Sequence, residues 1–175
     1  MKATRRIDPK DPYSPDGEAR MADIGTTRMS LIYDAPHIAT GVAAADKDAL
    51  FRFLADSLAR ADGLDASELL RGLLEREAMM STLVSPGIAL PHARLEGLGK
   101  STGFLAVIPG GCDYGEGIVK LAFMTADDDA DASGHLGILR QFALLARNPR
   151  FSEKLLEAAD PAEIAVLIER FERTL

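Results

Sequence analysis

Three side chains in this sequence have the right types to handle an anionic group: His92, His135 and Arg76. A neutral imidazole is a competent nucleophile near neutral pH, and it is the common side chain that titrates there unperturbed. The sequence holds three histidines, at 37, 92 and 135, so any histidine chemistry must draw on these. His92 follows Pro91 at the end of a predicted strand, where rigid structure holds a group that a partner can still reach. His135 falls in the first turn of a predicted helix, where free backbone donors and the positive dipole end favour an anion. Arg76 closes a predicted helix shortly before His92 and could set a fixed charge against phosphoryl oxygens. Each has a plainer reading: His92 as an exposed loop residue, His135 as a helix cap, Arg76 as a surface partner of Glu75 or Glu77.

Other chemistries are narrowed by composition. Cys112 is the single cysteine, which removes an internal disulfide and a cysteine-built zinc site. The acidic run Asp127–Asp131 lacks the glycine and terminal glutamate of a calcium loop, so it reads as a solvated acidic loop, and neither metal nor cofactor is expected. A net charge of −7 argues against nucleic acid, whose phosphates call for clustered Lys and Arg. No apolar run is long enough for a membrane helix, and no apolar stretch follows Lys2, Arg5 and Arg6 as in a secretory signal, so a cytoplasmic protein without membrane insertion is expected.

The 175 residues suit one domain with a tail. Residues 1–28, with Pro9, Pro12, Pro15 and Gly17, read as a flexible N-terminal extension, and 29–175 as the domain. Apolar spacing from Asp46 to Leu58 predicts a helix stopped by Gly63. A second helix starts at Asp65 with a capping glutamate at Glu68. Ser85 to His92, boxed in by prolines, suits an edge strand leading into a loop. Strands are predicted from Thr102 to Ile108, closed by Pro109-Gly110-Gly111, and from Ile118 to Thr125. A helix follows from about Ser133 to Arg147, and a last one opens at Asp160-Pro161-Ala162-Glu163. Strands interleaved with helices make an α/β layered domain.

From Arg76-Glu77 through Ser81-Thr82 to Gly87-Ile88-Ala89-Leu90-Pro91-His92-Ala93-Arg94, the sequence resembles the type 2 enzyme IIA domains of the bacterial phosphotransferase system, the fructose, mannitol and nitrogen-regulatory group. A second motif of that family resembles His135-Leu136-Gly137-Ile138-Leu139. The likeness runs from about Met29 to Phe171. It implies an αβα sandwich, a mixed sheet with helices on both faces. It also implies a phosphoryl group accepted on Nε2 of His92 from the histidine-containing phosphocarrier protein, with His135 hydrogen-bonding it and Arg76 offsetting its charge. These three would share one shallow, positive depression, with His92 exposed and ringed by Leu90, Leu95 and Leu98. No enzyme IIB-like or membrane domain shares the chain, so the acceptor is expected in trans. That favours a regulatory target of the nitrogen-regulatory kind over a separate enzyme IIB with an acceptor cysteine; a degenerate binding module is a third reading. The family's glycine-rich turn is replaced by Leu83-Val84-Ser85-Pro86, which implies a different loop shape where a partner would dock.

Overall fold

The structure is a computed structural model that describes residues 28–175. The extension expected over residues 1–28 lies, apart from Arg28, outside the described residues. The elements in chain order are α1 (Met29–Ile32), a 3-10 turn (Ala35–His37), β1 (Ile38–Ala39), α2 (Lys47–Asp62), α3 (Ala66–Met79), β2 (Leu83–Ser85), β3 (Gly87–Ala89), β4 (His92–Leu95), β5 (Thr102–Asp113), β6 (Ile118–Asp128), α4 (Ala132–Ala146), α5 (Pro149–Glu157) and α6 (Pro161–Glu172).

Local chemistry sets the helix ends. The Asp46 carboxylate accepts from the Ala49 N–H to start α2, and Gly63 ends it at φ 70, a left-handed angle that glycine adopts without strain. Asp65 accepts from the Ser67 and Glu68 N–H groups at the start of α3. In α6 the cap is reciprocal: Glu163 N–H donates to Asp160, and Ala159 N–H donates to the Glu163 carboxylate. Helix α5 was not anticipated from sequence; Asn148 caps it, Pro149 opens it, and Phe151 and Leu155 are its buried residues.

The sheet is mixed. Its order is β1-β5-β6-β3-β2, with β4 also paired to β6. The central pair, β5 and β6, is antiparallel, while β3 and β4 both run parallel to β6. Residues alternate between two cores. Ala106, Ala122, Met124 and Ala126 pack against α2 and α3 through Leu50, Phe51, Leu54, Leu69 and Leu73. Leu105, Val107, Leu121 and Phe123 pack against α1, α4, α5 and α6 through Met29, Phe142, Phe151 and Ile164. This is the expected αβα sandwich, in which each fully buried Leu or Phe contributes roughly 1.5–3 kcal/mol.

Three local expectations are corrected. The segment from Ser85 to His92 is no edge strand: β3 lies between β2 and β6, and the chain re-enters the sheet as β4 at His92. The reason is Pro91, which cannot donate to the ladder and so splits one line of pairing along β6 into two short strands. Strand β5 does not stop at Pro109-Gly110-Gly111 but continues to Asp113 through a register shift, with Gly111 at φ 77. The acidic run is not a solvated loop. Asp127 and Asp128 belong to β6 and are 0% and 8% exposed. Asp128 accepts from the Gly99 and Ala130 N–H groups, and Asp131 caps α4.

Two close contacts generate predictions. A Cβ on Gly103 would lie 2.4 Å from the Met124 carbonyl oxygen and 2.8 Å from Ile32. Gly103→Ala is therefore expected to lower stability by about 1–3 kcal/mol, read as a lower urea midpoint with unchanged slope. At the surface, His37 joins the 3-10 turn to α2: Nδ1 pairs with Asp34, and Nε2 lies 2.9 Å from Asp62 Oδ1. Burial pulls its pKa down, but the two carboxylates outweigh that and raise it. A raised folded pKa adds stability that is complete below about pH 6.5 and fades as pH rises through the folded value. His37→Ala should accordingly cost more stability near pH 6 than near pH 9, measured by denaturant unfolding at both; equal losses would contradict it.

Candidate functional site

Where β4 re-enters the sheet, the His92 ring is held from both sides. Its Nδ1–H donates to the Leu90 carbonyl oxygen at 3.0 Å, across the proline. That leaves the lone pair on Nε2, where the Nε–H of Arg76 donates at 2.9 Å. Arg76 sits in the last turn of α3 and also donates from a terminal nitrogen to the Met80 carbonyl at 2.8 Å.

A polar network fixes this arrangement from behind. The Leu90 N–H donates to the Thr82 carbonyl at 2.9 Å. Thr82 in turn gives both its N–H (3.0 Å) and its hydroxyl (2.6 Å) to Glu77 Oε2. Lys47 donates to Glu77 Oε1 at 2.7 Å and stands 4.4 Å from the centre of the Tyr114 ring. The Tyr114 hydroxyl lies 2.7 Å from Thr82 Oγ1 and must be the donor, because the Thr82 hydroxyl proton is already given to Glu77. Burial opposes ionisation of Glu77, yet Lys47 and Thr82 outweigh it and hold its carboxyl below the usual range. Glu77 is thus an anchor of the turn that carries His92, not the surface partner of Arg76.

His135 reaches the same place from α4. The ring centres of His92 and His135 are 5.2 Å apart and tilted by 41°. His135 Nδ1 lies 2.7 Å from Asp127 Oδ2. The structure therefore brings together all three side chains singled out from the sequence. It also adds two groups that sequence reasoning missed, the Leu90 carbonyl and the Asp127 carboxylate. A signal for Asp127 was present: the apolar stretch of β6 runs without a turn residue into Thr125-Ala126-Asp127.

The surroundings differ from the expected ones in three ways. His92 is 9% exposed, so it is recessed beneath Arg76 rather than open. Leu90 and Leu95 are buried and do not ring it; the exposed apolar side chains within four residues of the site residues in sequence are Leu74, Met79, Met80 and Leu136. The first turn of α4 offers no free Gly134 donor, because Asp131 caps that N–H at 2.8 Å. The depression is also not simply positive, since Asp127 lies at its base. No group of His, Cys, Asp and Glu suited to a metal occurs among the described residues, and no helix there is long and apolar enough to cross a membrane.

Such a site presents a neutral imidazole nitrogen to an electrophile, with a guanidinium and a second imidazole beside it. Comparison with known proteins gives this geometry a setting. The family described as "Phosphoenolpyruvate-dependent sugar phosphotransferase system, EIIA 2" matches residues 32–171. A multiphosphoryl transfer protein of Vibrio cholerae is 34% identical over 128 residues, which is 71% of this chain and 31% of that protein. The chain spans about a third or less of the length of the multiphosphoryl transfer proteins it matches. A fructose-specific EIIA component of Haloferax volcanii is 35% identical over 120 residues, 65% of this chain and 77% of that protein. In fold, the chain is similar to the crystal structure of nitrogen regulatory protein IIA-Ntr from Neisseria meningitidis, with TM-score 0.74 at 24% identity, over 80% of this chain and 98% of that one.

Burial pushes the His92 pKa down, the Leu90 carbonyl works against it, the Arg76 charge lowers it again, and the Asp127 carboxylate raises it in part. His92 is therefore expected to titrate below the ordinary histidine value of about 6.5. Arg76→Ala should shift its midpoint upward, toward that value. Histidine ring NMR across a pH series checks both, and an unshifted midpoint in the variant would contradict the contact.

Proposed function

The chain belongs to the EIIA 2 family of the phosphoenolpyruvate-dependent sugar phosphotransferase system, and on that premise we propose that His92 accepts a phosphoryl group on Nε2 and passes it on. The observation that carries this reading is the tautomer: Leu90 holds the ring proton on Nδ1, so the nucleophilic pair is on Nε2. The donor, by the family resemblance, is the histidine-containing phosphocarrier protein.

In the transfer, the Nε2 lone pair of His92 forms a bond to phosphorus as the nitrogen–phosphorus bond to the donor imidazole breaks. The bonding pair returns to the donor ring. The Nδ1 proton stays on His92 against the Leu90 carbonyl, so the phosphorylated ring carries a positive charge that keeps it a good leaving group for the next step. Phosphoryl transfer leaves little covalent work to the protein; it needs in-line placement and donors for the equatorial oxygens. Arg76 must first release Nε2. Rotation of its side chain then brings the guanidinium to the phosphoryl oxygens, where a planar two-pronged donor suits best. His135, with Nδ1 engaged by Asp127, offers Nε2 to the same oxygens.

For the destination we favour regulation by phosphorylation state. With His92 recessed under Arg76, phosphorylation displaces that side chain from its contact with Met80 and so changes the surface beside Met79 and Met80. A protein target can read such a change. The second reading, transfer to a cysteine of a separate enzyme IIB, is favoured by the 35% identity to a fructose-specific EIIA component.

The general phosphotransferase components with phosphoenolpyruvate should add one acid-labile phosphoryl group, detected by mass, and His92→Ala should abolish it. Undiminished labelling of that variant would sink the assignment. Arg76→Ala and His135→Ala should slow transfer about 30- to 1000-fold, the scale of about 2–4 kcal/mol for one lost transition-state donor. Mixing the phosphorylated protein with a fructose enzyme IIB separates the destinations: retention of the label supports regulation, and rapid loss to the cysteine supports transport.

A further inference from the structure

Asp127 is a wholly buried carboxylate at the base of the site, and the proposed transfer chemistry does not use it. It lies near the end of the paired stretch of β6, opposite Arg94 in register, one residue before Asp128 closes the ladder and two beyond Thr125, which stands opposite His92. Oδ2 accepts from His135 Nδ1 at 2.7 Å and from the Thr125 hydroxyl at 3.3 Å. Oδ1 has no hydrogen-bond partner among the described residues. Among those residues, the basic side chain in contact with it is His135, and that contact is an ion pair only when His135 carries both ring protons.

A buried carboxylate next to the seat of a phosphoryl dianion is an unfavourable placement by itself. Desolvation of the charge costs several kcal/mol in general, and the arriving dianion repels it further. The arrangement becomes favourable once a positive charge stands between the two anions. His135 stands there. Its Nδ1 proton is committed to Asp127, so a neutral His135 presents a lone pair, not a proton, at Nε2. A lone pair repels a phosphoryl oxygen, and His135 can donate to that oxygen only with a proton on each nitrogen.

Resting on the phosphocarrier reading above, we propose that Asp127 is a positioning residue that makes His135 take up one proton from solvent when His92 is phosphorylated and release it when the phosphoryl group leaves. The balance is simple. His92 gains a phosphoryl group on Nε2, His135 gains a proton on Nε2, and Asp127 remains ionised as the counter-ion on the Nδ1 side. The groups facing His135 are consistent with this. His92 and Arg76 lie on one side and are already a neutral ring and a fixed cation. Asp127 lies on the other, and the Tyr33 phenol near it is buried, donates to the Met124 carbonyl and stays neutral. Asp131, on the helix of His135, is occupied as its cap. Burial opposes ionisation of Asp127, but His135, Ser101 and Thr125 together outweigh it and hold the carboxyl below the usual range.

The consequence is a link between pH and phosphoryl occupancy. A proton bound together with the phosphoryl group means that acidification favours the phosphorylated form. Asp127→Asn separates charge from shape, because the amide oxygen still accepts from Nδ1–H while the counter-ion is gone.

The test uses the full chain with nitrogen-15-labelled histidine and long-range proton–nitrogen NMR. In the free protein His135 is expected with its proton on Nδ1; after His92 is phosphorylated, both ring nitrogens are protonated. In Asp127→Asn the proton stays on Nδ1 and the second is not gained, transfer slows about 10- to 100-fold, the scale typical of groups that orient a functional histidine, and the pH dependence of occupancy flattens. His135 found with its proton on Nε2 in the free protein, or singly protonated after phosphorylation of the wild type, overturns the proposal, even where no variant folds. Absence of any phosphoryl gain in the wild type would overturn the phosphocarrier reading instead, and the free-protein tautomer would still test the part played by Asp127.

Discussion

A proline between two short strands shapes this site. Pro91 cannot donate to the ladder, so β3 and β4 track β6 as separate pieces, and the Leu90 carbonyl is left to turn toward the next histidine instead of a neighbouring strand. That one bond decides which nitrogen of His92 carries the proton and which keeps its lone pair. The position of Leu90 is set by Thr82, which is set by Glu77 and Tyr114. The same helix that supplies Glu77 supplies Arg76. A single helix end therefore both orients the His92 ring and supplies the cation beside it.

The electrostatics of the site follow from burial as much as from charge count. The chain is acidic overall, with net charge −7, yet the His92 ring meets a guanidinium directly. Burial and that guanidinium lower the His92 pKa and so favour the neutral ring. On the far side the buried Asp127 would be out of place against an anion unless His135 intervenes. The site is thus a row of alternating groups, Arg76, His92, His135 and Asp127, linked by hydrogen bonds and ring contact. The backbone can stay still, since each ring sits on an element packed into the sandwich: β4 against α3, and α4 against β6. Gly72 permits the first of these close approaches, since a Cβ there would lie 2.9 Å from the Ala93 Cβ.

Arg76 is half-buried and held by two hydrogen bonds, one to His92 and one to the Met80 carbonyl, and both break if the side chain rotates. Met79 and Met80, which follow Arg76 at the end of α3, are exposed, and long, flexible methionine side chains can adapt to more than one neighbouring surface.

The helices were legible from sequence because their signals are local. Asp46 with Gly63, Asp65 with Glu68, and Asp160 with Glu163 each cap within a few residues, and the apolar period between them marks a buried face. His92, His135 and Arg76 were legible because their types and spacing carry the family motif. What sequence could not settle was burial and pairing across distance. Asp127 looked like one of several solvated aspartates, since nothing in its neighbours reveals that α4 folds over it and brings a histidine to its oxygen. The recess of His92 beneath Arg76 depends on α3 closing against β4, a contact between segments joined by a turn of unusual sequence. The strand from Ser85 looked like an edge because Pro91 forbids a donor, whereas the fold uses that missing donor inside the sheet. Local hydrogen bonds and periodicity belong to short stretches of chain, so the sequence determined the elements and the candidate acceptor. The proton positions and charge pairs depend on groups brought together from β4, β6, α3 and α4, and only tertiary packing, by excluding water and aligning those elements, decided them.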